Sequence, residues 1–289
     1  MPLRLRALLL TLLLGLFASP ALAQPGLWVV KDADSTIYLF GTVHLLPNDT
    51  DWHFPALDKA LADSQALYVE IVDDDRANMT ALVMRYGMDT AHPLSSLLMP
   101  HDRGRLERAA RLAHVPGGAA TLEVMRPWLA ALTLTVAPLT QAGLDPAQGV
   151  DRQLRATMEK AGKPVRALET AEQQIRFLAD MPQAMQLALL RSTLRDTDRA
   201  TVDLKAIIDA WKAGDDEALA RLENDLMRRE EPGLYQSLLV ERNEAWARQV
   251  AAMLQQPGTV FVAVGAAHLA GPDSLQQQLK KQGESVERL

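Results

Sequence analysis

Residues Thr259–Val264 (TVFVAV) are β-branched or apolar throughout, and Gly265 closes them. A strand that shows no polar alternation has no wet face, which is how a strand buried on both sides of a sheet looks. Such a strand requires helices on both faces, so this one segment predicts an α/β architecture.

The rest of the chain supplies the partners. Leu27–Lys31 and Thr36–Thr42 read as a hairpin turned by Asp32–Ser35. Ala66–Val72 predicts a third strand after a helix over Pro55–Ser64, Val165–Leu168 a fourth, and Ser285–Leu289 a last edge strand. Between them apolar residues recur at helical spacing over Arg103–His114, Leu122–Leu139, Val150–Ala161, Ala171–Leu178, Met185–Trp211, Asp215–Met227 and Leu234–Gln255. Neither an internal repeat nor a domain-cutting linker is visible. The expectation is one α/β domain over residues 24–289, with a mixed central β-sheet, flanking helices and a long helical insertion between the third and fifth strands.

Two segments repeat one arrangement: an apolar strand closing in Gly-x-x-His-Leu, at Gly41–His44 and again at Gly265–His268. Glycine at a strand end permits a bend or a close backbone approach. Each histidine is then delivered to the carboxyl edge of the sheet, where open α/β folds bind ligands. One such motif is weak, but two predict a shared site and require their strands to be near neighbours. Gly271–Ser274 reads as the start of a final helix, whose N-terminus would favour anions. Glu70 stands inside an otherwise apolar strand, where a charge is costly unless paired or metal-bound; the ordinary alternative is an edge strand with Glu70 facing water. Two imidazoles and a carboxylate suit a divalent ion with open positions, able to make hydroxide from bound water.

Two further clusters are open to ordinary explanations. Glu169 ends the fourth strand, where Thr170 and Glu172 could simply cap a helix. Arg242 and Asn243 could orient a carboxylate or steady an oxyanion, or could form a salt bridge on a solvated face. His53, His92, His101 and His114 read as surface residues. Serine-hydrolase elbows, Walker loops and His-Glu-x-x-His helices are absent from the sequence.

Composition narrows the setting. The chain has no cysteine, which removes disulfides, thiol nucleophiles and a lipid-anchoring cysteine. Arg4 and Arg6, the apolar run Ala7–Phe17 and Ala21–Ala23 follow the order of a secretory signal peptide over residues 1–23, so export to the periplasm or medium is expected. No later run is long enough to span a membrane after signal removal. The net charge of −6 and the lack of basic clusters argue against nucleic acid as a partner.

Taken in order, LWVVKDADSTIYLFGTVHLLP, ALYVEI, Arg126–Trp128, QGVDRQL at Gln148–Leu154, GKPVRALETAEQQ at Gly162–Gln174, LLVERNEAW at Leu238–Trp246 and VFVAVGAAHLAGPDSL resemble the TraB/GumN family over nearly the whole mature chain. Its animal relatives are the Tiki proteins, and its fold is similar to erythromycin esterase and the haem-associated ChaN proteins. The resemblance implies His44 and His268 as metal ligands, Glu70 as ligand or general base, and Arg242 with Asn243 as polar support. Glu169 is a further catalytic candidate. It implies a metal-dependent hydrolase, a peptidase by kind. With the signal peptide this becomes an exported enzyme acting on a peptide or protein substrate in the cell envelope, and Mn, Co or Zn would all suit the ligands. The alternative is a non-catalytic haem-binding, ligand-binding or regulatory envelope protein.

Overall fold

The computed structural model describes residues 24–48, 50–72, 76–196 and 199–289. The expected signal peptide and the acidic run Asp73–Asp75 lie outside them. Strands β1 (Leu27–Lys31) and β2 (Ser35–Thr42) form the expected hairpin, with Leu27 opposite Phe40 and Lys31 opposite Thr36. Asp32 Oδ1 fixes the turn by accepting from the backbone N–H of Asp34 and Ser35 and from Ser35 Oγ.

Four more strands complete one mixed sheet: β3 (Ala66–Val69), β4 (Val165–Ala167), β5 (Gly258–Gly265) and β6 (Val286–Arg288), in the order β4-β3-β5-β2-β1-β6. The strands β4, β3, β5 and β2 run parallel, while β1 is antiparallel to both β2 and β6. β5 pairs with β2 in register from Ser35–Gly258 to Thr42–Gly265, so the two Gly-x-x-His strands are immediate neighbours.

Burial of β5 on both faces is what its composition requires. Phe261, Val262, Ala263 and Val264 each keep 1% or less of their surface. Phe261 and Ala263 join Phe40, Leu67 and Leu57 on one face, under helices α1 (Pro55–Asp63), α5 (Val150–Lys160) and α8 (Ala200–Ala213). Val262 and Val264 join Leu39, Trp246 and Leu275 on the other, under α9 (Glu241–Met253) and α10 (Leu275–Lys281). The insertion supplies α2 (Arg76–Gly87), α3 (Pro100–Leu112), α4 (Pro127–Gln141), α6 (Ala171–Ala179) and α7 (Gln183–Asp196). There α3, α4 and α7 build a second apolar cluster around Leu106, Ala110, Leu134 and Leu190.

Several boundaries differ from expectation for local reasons. Pro127, in the first turn of α4, separates that helix from the short turn Ala119–Leu122. The periodic run Met185–Trp211 divides into α7 and α8. Helix α2, which the sequence reading lacked, has little amphipathic contrast. The final helix starts at Leu275, with Ser274, the last residue of the expected Gly271–Ser274 start, at its threshold. Among the described residues no helix is long and apolar enough to cross a membrane.

Candidate active site

Each parallel strand delivers one polar residue from its carboxyl end. In sheet order these are Glu169 just past β4, Glu70 just past β3, His268 in the turn after β5 and His44 in the loop after β2. Glu70 is therefore not inside its strand, as expected, but one residue beyond it: β3 ends at Val69. The chain stays paired there, since Glu169 N–H donates to Glu70 O at 2.9 Å, so the two carboxylates leave the sheet side by side.

Both motif glycines answer to close approach. A Cβ on Gly41 would stand 3.2 Å from Ala266 Cα, so the first glycine makes room for the second motif's turn. Gly41 O also accepts from buried Trp211 Nε1 at 2.8 Å. A Cβ on Gly265 would stand 3.2 Å from Glu70 Oε1, 3.6 Å from His44 Nε2 and 3.7 Å from His268 Cδ2. The bare face of Gly265 is thus the point on which three expected site residues converge.

Arg242 ties the acids together. Its Nη2 donates to Glu70 Oε2 at 2.6 Å and to Glu169 Oε1 at 2.5 Å, and Nε donates to Glu169 Oε2 at 3.2 Å. Nη1 donates to Leu238 O and to His268 Nε2. All five guanidinium N–H groups are used. The cation sits between the rings of Trp246, at 4.6 Å, and Phe177, at 5.5 Å. It does not lie on a solvated face: its side chain is 9% exposed. Gln174 Nε2 adds a donor to each carboxylate.

Because a guanidinium cannot accept, His268 Nε2 must carry its lone pair and Nδ1 its proton. Asn243 agrees: its Nδ2 donates to Asp273 O at 2.8 Å, turning Oδ1 toward His268 Nδ1 at 2.7 Å. Burial first, with the positive charge of Arg242, lowers the His268 pKa to about 3, so the ring is neutral. Burial opposes the Glu70 anion, but His268, Arg242, His44 and the Gly265 N–H outweigh it and hold that carboxyl down to about 2. Glu169 moves upward, chiefly through burial and also through Glu70 beside it. Glu169 also stands next to a helix cap, for Thr170 and Gln173 form a capping box on α6.

His44 differs from His268. Its side chain is 60% exposed and its Nδ1 lies 3.1 Å from Asp151 Oδ1. Its surroundings oppose the charge, but the Asp151 hydrogen bond and the charges of Glu70, Asp151 and Glu223 lift its pKa to about 9. That exposure tempers the electrostatic effect.

Above these groups lies a cavity of about 600 Å³. Its floor is His44, Glu70, His268 and Arg242, and its walls are largely apolar, including Trp128, Leu132, Phe177, Leu189, Ile207 and Leu239. The helical insertion is therefore the cover over the carboxyl ends of the strands.

The sequence profile of the TraB/PrgY/gumN family matches residues 26–288. The chain belongs to this family. The Escherichia coli (strain K12) relative called "Uncharacterized protein YbaP" is 28% identical over 262 residues, covering 89% of this chain and 92% of the relative. An "Uncharacterized protein" of Treponema pallidum (strain Nichols) is 23% identical, over 88% of this chain and 80% of the relative. "Metalloprotease TIKI1" of Danio rerio is 27% identical over 90% of this chain but only 62% of its own length. No solved structure matches the chain.

How well this TraB/PrgY/gumN site suits a metal can be read from its donors. His44 Nε2 has no protein partner among the described residues, Glu70 is ionised, and His268 presents a lone pair. The uncovered face of Gly265 leaves space between them. These features fit a divalent ion in donor type. Among the described residues, however, no three His, Cys, Asp or Glu side chains already close on one point. His268 Nε2 is 4.0 Å from Glu70 Oε1 and held by Arg242, which must release it before it can ligate.

Three contributors had no role assigned from sequence. Asp151 orients His44, yet in QGVD it reads as an ordinary first-turn acid of α5. Gly149 lets that helix dock: a Cβ there would meet His44 O at 2.6 Å, and Val150 N–H donates to Val43 O. Glu223 enters the cavity from a helical segment, and no motif marks it. The remaining histidines, His53, His92, His101 and His114, are exposed as expected.

Proposed function

We propose that this chain is an exported metal-dependent hydrolase that cleaves peptide bonds in the cell envelope. The observation that carries this reading is the convergence of His44 Nε2, Glu70 Oε1 and His268 on the bare face of Gly265, at the bottom of an apolar chamber. The metalloprotease names of the TIKI relatives support it from outside the structure.

His44, His268 and Glu70 would hold the ion, which when bound supplies an acidified water and a Lewis acid for the carbonyl. The chain's own groups do the rest. Asn243 fixes the His268 tautomer and Asp151 orients the His44 ring, so that each Nε2 faces inward. Arg242 keeps Glu70 ionised and presents positive charge where an oxyanion would develop. Asn243 acts only through His268, because its own amide is committed to Asp273 O. Glu169 balances Arg242 from behind. The apolar walls exclude water and suit hydrophobic side chains of a peptide.

The test combines metal analysis with cleavage of quenched-fluorescent peptides by the purified chain loaded with Mn²⁺, Co²⁺ or Zn²⁺. Wild type should bind one ion and cleave; His44→Ala and His268→Ala should lose both properties while remaining folded. Full metal content and full cleavage in both variants would remove the shared-site reading.

A further inference from the structure

The carboxylates at and beneath the cavity floor are already committed. Glu70 accepts from Arg242, Gln174 and the Gly265 N–H, and Glu169 is held bidentately by Arg242. Asp151 is bound to His44. With three donors on its two oxygens and a place among the ligands, Glu70 has no free lone pair aimed at a water and is ill suited to be the general base.

Among the described residues lining the cavity, only Glu70 and Glu223 are acids. Glu223 makes no hydrogen bond or ion pair with any described residue, although it is partly buried in apolar surroundings. Its place is nevertheless well defined. It lies in the π-helical run Ala220–Asn224, and such turns are frequent at functional sites. The next residue, Asn224, donates to Ala267 O at 2.9 Å and to Ala270 O at 3.0 Å, clamping the turn on either side of His268. The same anchor holds Glu223 in the cavity, near enough to His44 for their charges to interact.

The geometry points to Glu223 as the proton-transfer residue of this site, an assignment that rests on the hydrolase reading above. As the oxygen of water bonds to the substrate's carbonyl carbon, its proton passes to the Glu223 carboxylate. The C–N bond then breaks and that proton goes to the departing nitrogen, leaving an acid, an amine and an ionised Glu223. Burial raises the Glu223 pKa to about 7 against the opposing pull of His44, which suits both halves of the transfer.

The test compares metal-loaded wild type with Glu223→Gln and Glu223→Asp for metal content, peptide turnover and the infrared carboxyl band against pH. Glu223→Gln should keep metal stoichiometry and KM within about twofold and lose about 10²–10⁴-fold in kcat. It should also lose the acidic limb of the rate profile and a carboxyl band titrating near neutrality. Glu223→Asp should recover part of kcat and a shifted limb. Unchanged kcat in Glu223→Gln overturns the assignment, as does a carboxyl band that survives the substitution. Loss of the ion in that variant makes Glu223 a ligand and overturns it equally. A wild type that binds metal and peptide without cleaving defeats the hydrolase reading itself, and the assignment with it.

Discussion

Asn243 Oδ1 accepts the Nδ1 proton of His268 at 2.7 Å, and the Asn243 amide cannot flip without losing its bond to Asp273 O. One backbone carbonyl thereby selects the imidazole nitrogen that faces Glu70. Asn243→Leu leaves a buried N–H unpaired and is expected to cost about 1–3 kcal/mol in urea unfolding. It should also weaken metal affinity about 10–100-fold by calorimetry. Unchanged affinity would show that the tautomer is held by Arg242 alone.

The ion network around Arg242 is buried, so deleting its cation should be severe. Arg242→Met strands Glu70 and Glu169, and a loss of about 3–5 kcal/mol is expected. Adding Glu70→Gln and Glu169→Gln to that variant should restore much of the loss, because the penalty is unpaired charge rather than missing volume. A triple variant as unstable as Arg242→Met would contradict this account.

The two histidines pull the pH dependence of stability in opposite directions. The His44 pKa is raised from 6.5 to about 9, so its contribution is complete below 6.5 and is lost as pH rises through 9. That of His268 is lowered from 6.5 to about 3, so its contribution is present above 6.5 and is lost as pH falls toward 3. Glu70, lowered from 4.5 to about 2, steepens the same acid side. Glu223, raised from 4.5 to about 7, offsets the His268 effect between those limits. Thermal melts of the metal-free chain should therefore hold a plateau from about pH 4.5 to 6.5 and fall on either side, with the alkaline limb the shallower because the His44 side chain is 60% exposed. His44→Asn should flatten that limb alone.

Gly265→Ala is a probe of the convergence point. Its backbone φ of −51° accepts any residue, so strain is not the issue. The added methyl would stand 3.2 Å from Glu70 Oε1 and 3.6 Å from His44 Nε2. The variant is expected to fold, by circular dichroism, and to lose metal stoichiometry at least tenfold more than Gly104→Ala, where a Cβ meets nothing within 4 Å. Equal metal content in the two variants would place the ion elsewhere.

The sequence carried the frame of this site because strand burial and glycine chemistry are local signals. Residues Thr259–Val264 advertise burial on both faces, and the paired Gly-x-x-His motifs require β2 and β5 to be adjacent. Glu70 was noticed for the right reason, a carboxylate among apolar residues, although it stands one residue past its strand. Asp151 and Glu223 were hidden because their meaning is tertiary. An acid in a helix's first turn is ordinary until Gly149 brings it to His44, and an acid on a helical segment is ordinary until a roof closes over it. Arg242 and Asn243 fit either a site role or a salt bridge on a solvated helix face; the packing of α9 against the sheet, which turns that face inward, decides between them.

The placement of β5 has a consequence for how the molecule is made. It lies between β3 and β2, yet it is supplied only by residues Gly258–Gly265. A chain emerging from its N-terminal end therefore holds two separate half-sheets, β1 with β2 and β3 with β4, with the seam between them open. Only when β5 enters that seam do Glu70 and His44 come onto a common floor with His268. Assembly is consequently nonlocal and slow by nature, and a chain cut short of its central strand cannot bring the four polar residues onto one floor.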